Sequence, residues 1–83
     1  MLLNYYEIIQ IKLIWSIISR NLNAIELLKK NPDKINWDEL SSNIAAINLL
    51  QNNPNKINWN GIYFNSNAIE LLLVINKSFN FHL

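Results

Sequence analysis

Cysteine is absent from this 83-residue chain, so no disulfide staples it and no thiolate is present to act as nucleophile or metal ligand. That lack suits a reducing compartment. The sole glycine, Gly61, excludes the glycine-rich loops that cradle phosphates, and the sole histidine, His82, has no cysteine or carboxylate cluster beside it in sequence. Charge is scarce at 16% of residues, and the formal net charge of +1 argues neither for nor against a polyanionic partner. Long apolar runs are missing too. Glu7 and Lys12 interrupt the stretch 2–18, whereas a membrane-spanning helix needs about 20 predominantly apolar residues. An export signal wants a basic start and a small-residue cleavage site; here the first charge is acidic. Neither a membrane span nor a leader is expected.

What is present is a phrase that returns after 22 residues. Lys34-Ile35-Asn36-Trp37 recurs as Lys56-Ile57-Asn58-Trp59, and the only two prolines precede these phrases as Asn31-Pro32 and Asn53-Pro54. Ala24-Ile25-Glu26-Leu27-Leu28 aligns with Ala46-Ile47-Asn48-Leu49-Leu50 and Ala68-Ile69-Glu70-Leu71-Leu72. Asn21, Asn43 and Asn65 fall in the same register. Upstream, Lys12, Leu13, Trp15, Ile18 and Ser19 match Lys34, Ile35, Trp37, Leu40 and Ser41; downstream, Phe79-Asn80-Phe81 takes the Ile-Asn-Trp slot. A unit this short cannot bury its own apolar face and must stack on its neighbours. The expected fold is therefore all-α: a short α-solenoid of nearly four two-helix units, in one domain spanning 1–83. Units 21–42 and 43–64 are complete, unit 1–20 is degenerate and unit 65–83 is truncated.

Local signals specify the helices. Asn43 is a natural N-cap for a helix over 44–52, which Asn53-Pro54 ends because the residue before proline is driven out of the helical region. Asn36 caps a shorter helix over 37–41, with Glu39 where a capping-box partner belongs. Gly61 replaces that glutamate, so the helix after Trp59 should be weaker or become a turn. In the first unit the polar residues of 4–20 lie on opposite helical faces, which predicts a break at Gln10, the position of the later prolines. Recurring alanines at 24, 46 and 68 permit close helix approach. Trp15, Trp37, Trp59 and Phe81 read as successive layers of one core, so that alanine at 37 or 59 would cost about 3–5 kcal/mol.

The pattern Asn-x-x-Ala-Ile-x-Leu-Leu-x-x-Asn-Pro-x-Lys-Ile-Asn-Trp-x-x-Leu-Ser resembles short repeats abundant in uncharacterised proteins of giant DNA viruses. The resemblance runs from about Lys12 to Phe81 and is strongest from Asn21 to Trp59; proline commonly follows the first asparagine in those repeats, whereas Leu22, Ile44 and Ser66 stand here. The unit is also similar in plan to leucine-rich variant repeats, which alternate two helix types in a superhelix. The resemblance implies a solenoid in the cytoplasm, of the host cell if viral, and no activity. The 16 asparagines and 14 isoleucines, residues with AT-rich codons, reflect base composition as well as physics.

Three ladders of polar residues are the candidate surface. Asn36, Asn58 and Asn80 form one, and Asn21, Asn43 and Asn65 another; both read first as helix caps and bridges between units. Lys12, Lys34 and Lys56, with Lys77 nearby, form a third. Stacking would align these lysines as a basic stripe able to follow a phosphate backbone or an acidic protein surface; the plainer reading is a solvated edge whose aliphatic stems cover tryptophan rings. No catalytic constellation is present, since Glu26 and Glu70 are equivalent solvent-face positions rather than an acid–base pair. No cofactor and no metal are expected. Three functions follow: a non-enzymatic protein-interaction or scaffold module, a binder of nucleic acid or an acidic partner through the lysine ladder, and a diverged remnant without a specific partner that self-associates through its apolar C-terminal end.

A strand-lined horseshoe shares the 22-residue period, but Lys30 and Val74 stand where its asparagine belongs in two of the three units. Far-UV circular dichroism dominated by helix, with no strand component, is the expected outcome.

Overall fold

A computed structural model describes residues 2–79, with side chains described as far as Leu73. Among these residues the fold is all-helical. Six α-helices follow one another: α1 (Tyr5–Arg20), α2 (Ile25–Lys30), α3 (Trp37–Ser41), α4 (Ile47–Gln51), α5 (Trp59–Ile62) and α6 (Ala68–Phe79). Two 3₁₀ turns, Pro32–Lys34 and Pro54–Lys56, join α2 to α3 and α4 to α5. The molecule measures 53 × 22 × 22 Å with a radius of gyration of 14.5 Å, against about 12 Å for a globular chain of this length. It is elongated.

The prolines cut the two middle units into helix, turn and helix. Asn31 and Asn53, each before a proline, adopt φ/ψ near −133°/58° and −136°/57°, outside the helical region as the proline ring demands. Where proline is missing, the helix does not stop. Gln10 keeps its N–H and α1 runs through it as one 16-residue helix, so the expected break does not occur. Asn4 starts this helix by accepting from the Glu7 N–H at 2.9 Å while its own amide donates to the Glu7 carboxylate at 2.9 Å. The other end of the chain behaves alike. Position 76 is asparagine rather than proline, and α6 continues to Phe79, which places Phe79 inside a helix and not in the extended slot of Ile35 and Ile57.

Helix starts differ from expectation by three residues. Asn43 caps a turn, its side chain accepting from the Ala45 N–H at 2.9 Å and its carbonyl from the Ala46 N–H at 3.0 Å, and α4 begins only at Ile47. A side chain bonded two residues ahead closes an Asx turn, which competes with the first helical turn. The shorter helices start where the sequence places them. Asn36 accepts from the Glu39 N–H at 3.1 Å, yet Glu39 completes no capping box: the Asn36 N–H is taken by Ser19 Oγ at 3.0 Å, and the Glu39 carboxylate reaches Arg20 at 3.6 Å. With Gly61 in the glutamate position, α5 is one residue shorter than α3. A Cβ at Gly61 would stand 2.9 Å from Ser41 Cβ and 3.0 Å from the Asp38 carbonyl. The absent side chain lets α5 press against α3.

Helices of four to six residues are marginal alone, and burial between units holds them. Leu28, Leu40, Leu50 and Leu71 are fully enclosed, joined by Ile35, Ala46, Ile47, Ile57 and Ile62. Trp15 and Trp37 are half-buried against this core. Trp59 is not part of it: at 49% exposure it lies at the last described layer, with less of the molecule beyond it than Trp37 has. Phe81 lies outside the described residues. Of the three described aromatic layers, Trp15 and Trp37 flank an aliphatic core and Trp59 does not join it. The expected ranking in urea melts is about 2–3 kcal/mol lost for Trp37→Ala and about 1 kcal/mol or less for Trp59→Ala.

Candidate functional site

The asparagine ladder lies in the interior. Asn43 donates from its side-chain amide to the carbonyls of Ser19 at 2.9 Å and Asn21 at 3.2 Å, and Asn65 repeats both bonds on Ser41 and Asn43, each at 3.0 Å. Both asparagines are buried; Asn21, at the head of the ladder, is exposed. The second ladder ties the same units from the other side. The Asn36 amide donates to Ser16 Oγ at 2.8 Å, and the Asn58 amide to the equivalent Asp38 carboxylate at 3.0 Å. Asn80 lies outside the described residues.

Serines complete this network, and the sequence reading assigned them no role. Ser19 and Ser41 are fully buried. Ser19 Oγ receives the Asn36 N–H, and Ser41 Oγ receives the Asn58 N–H at 2.9 Å while donating to the Trp37 carbonyl at 2.7 Å. The signal was available in their 22-residue spacing. Spacing alone does not separate this role from a solvated face, where serine also recurs, whereas a buried hydroxyl requires a partner. Every buried side-chain polar atom described has one.

Lys34 and Lys56 stand at the edge, each over the tryptophan of the preceding unit. Lys34 Nζ lies 5.4 Å from the centre of the Trp15 ring, and Lys56 Nζ lies 5.3 Å from that of Trp37. At exposed sites such cation–π contacts contribute about 0.5–1 kcal/mol. The stems shield the rings while the ammonium groups keep access to water. Lys12 joins Lys34 at one place: together with Ile11, Trp15, Asp33, Ile35 and Asn36 they line an open groove of about 350 Å³ between α1 and the first 3₁₀ turn. Its floor is apolar and its rim carries two cations and one carboxylate. The Lys77 side chain and His82 lie outside the described side chains. Glu26 is paired with Lys29 at 3.3 Å on the surface, and among the described residues no three acidic, histidine or cysteine side chains converge as a metal site. No described helix is long and apolar enough to cross a membrane.

No family model, curated protein or solved structure matches the chain.

The ladder makes a graded prediction. Asn43→Ala or Asn65→Ala removes two interunit bonds and strands the carbonyl of Ser19 or Ser41, an expected loss of about 2–4 kcal/mol. Asn21→Ala removes only a turn cap, about 1 kcal/mol. Urea melts of the three variants should order them so.

Proposed function

We propose that the chain is a non-enzymatic α-solenoid that serves as a protein-interaction module, with the lysine–tryptophan edge as its contact surface. The groove shared by Lys12, Trp15 and Lys34 supports this reading most. Its apolar floor suits a hydrophobic side chain, and the two ammonium groups suit a neighbouring carboxylate. Lys34, like Lys56, is held by a ring contact and is in no ion pair among the described residues, so little ion-pair rupture precedes binding there. An acidic, partly apolar protein segment fits better than a nucleic acid. Asp33 shares the groove, and a net charge of +1 supplies little long-range attraction for a polyphosphate.

Affinity capture from cells expressing the chain, compared with a Lys12→Glu, Lys34→Glu, Lys56→Glu variant, tests the assignment. The expected outcome is joint loss of the captured proteins, with binding of the parent weakened by added salt. Proteins retained equally by both forms would move the contact surface elsewhere. Salt-dependent binding of a single-stranded oligonucleotide, lost in the variant, would transfer the edge to nucleic acid.

A further inference from the structure

The two ends of the molecule expose positions that its interior buries. In α1, Leu13 is 57% exposed, whereas Ile35, one interval later, is 8% exposed. Ile14 and Ile17 lie beside it on the same uncovered stripe and stand where Asn36 and Glu39 stand, the residues with which α3 faces back toward α1. At the other end, Tyr63 is 86% and Ile69 71% exposed, against 0% for Ser41 and 7% for Ile47 at the equivalent positions. With Trp59 and Leu72 they line an apolar groove of about 440 Å³. Inside the chain, the surface around Ser41 is covered by Asn58, Gly61 and Asn65 of the following unit. The residues of α1 and its cap at those register positions are Ile14, Ile17 and Asn21.

We propose that a second copy of this chain stacks head to tail, its α1 stripe covering the Trp59–Tyr63–Ile69 edge of the first. The occupant is a second copy because the contact continues the interface that joins the units of one chain. The replacements at the two ends match. Within the chain the backbone N–H of an asparagine meets a buried serine hydroxyl (Asn36 on Ser19, Asn58 on Ser41). At the ends Ile14 lies inside α1, where the helix uses its N–H, and Tyr63 stands in place of the serine, so Ile14 meets Tyr63 and a polar contact becomes an apolar one. The ladder continues as well. Asn21 uses its side-chain oxygen on the Asn23 N–H at 2.8 Å, as Asn43 and Asn65 do on theirs, but among the described residues its amide bonds no earlier unit. Among the described residues the Asn65 carbonyl receives only the Ala68 N–H, whereas the Asn43 carbonyl receives both the Ala46 N–H and the Asn65 amide. These are the free donor and free acceptor of one more rung. Because different surfaces meet, the contact does not close on itself and generates rings or open chains rather than a symmetric dimer. In the same register Lys12 of the second copy takes the place that Lys56 has over Trp37 and falls over Trp59, so the two surfaces share that lysine.

Sedimentation velocity of the full chain across a range of concentrations tests this, with end-blocked variants. The parent should grow beyond a dimer as concentration rises. Leu13→Glu with Ile17→Glu blocks one end and Tyr63→Glu with Ile69→Glu blocks the other; all four side chains are exposed, and circular dichroism should remain helical. Each variant alone should sediment as a monomer, and an equimolar mixture should form heterodimers and grow no further. That restored pairing also shows both variants to be folded. A parent that stays monomeric at every concentration overturns the proposal. So does a Tyr63→Glu, Ile69→Glu variant that still dimerises, because α1 would then be pairing with another α1.

Discussion

Asn43 and Asn65 each place a side-chain amide against two backbone carbonyls, one that a helix end leaves without a partner (Ser19, Ser41) and one that also accepts a turn N–H (Asn21, Asn43). Ser19 lies in the last turn of α1 and Ser41 ends α3, where carbonyls have no amide four residues ahead. A helix of five residues has more orphan groups than internal bonds, so most of its polar backbone must be satisfied from outside. The neighbouring unit does this. Once the amide is buried it fixes register, because sliding one unit along another would leave a donor and the serine carbonyl unpaired in an apolar surrounding. The aliphatic core supplies attraction between units, and the asparagines decide where they sit.

Proline sets how many such contacts are needed. Each Asn-Pro pair ends a helix early and redirects the chain, which yields two short helices per unit and a bond network between units. Where proline gives way to Gln10 or Asn76, the backbone satisfies itself along a longer helix. The chain therefore has a jointed middle flanked by two continuous helices. Much of α1, with Leu3, Tyr5 and Tyr6 more than half exposed, has only part of its length against the rest of the fold. The polar residues on both sides of α1 reflect that exposure and not a break.

The 22-residue period made the helical class, the caps at Asn36 and Asn58 and the edge position of Lys34 and Lys56 legible in the sequence. It did so because each residue type recurs wherever its environment recurs. The errors have one origin. Gln10, Trp59 and Phe79 align with interior counterparts yet lack the proline, or the covering side chains among the described residues, that give those counterparts their conformation or burial. Sequence register carries residue identity into the terminal units but cannot carry the missing neighbour. The buried serines and the Gly61 approach were hidden for another reason: their roles are visible only when two units are seen in contact. The lysine groove combined both cases, since Lys12 and Lys34 were aligned by period while Asp33 was brought beside them by the turn.

The acceptors for Asn43 and Asn65 are main-chain carbonyls, which every residue possesses. The fit between successive units therefore does not depend on a matched pair of side chains at those rungs. A gene that copied one whole interval in frame, between Asn43 and Asn65 for example, would insert a segment that finds its donors and acceptors ready on both sides. Insertions of any other length would break the register at once. The chemistry of a single amide thus makes the molecule tolerant of growth in whole units and intolerant of growth in parts, a rule under which tandem duplication lengthens the protein without redesigning it.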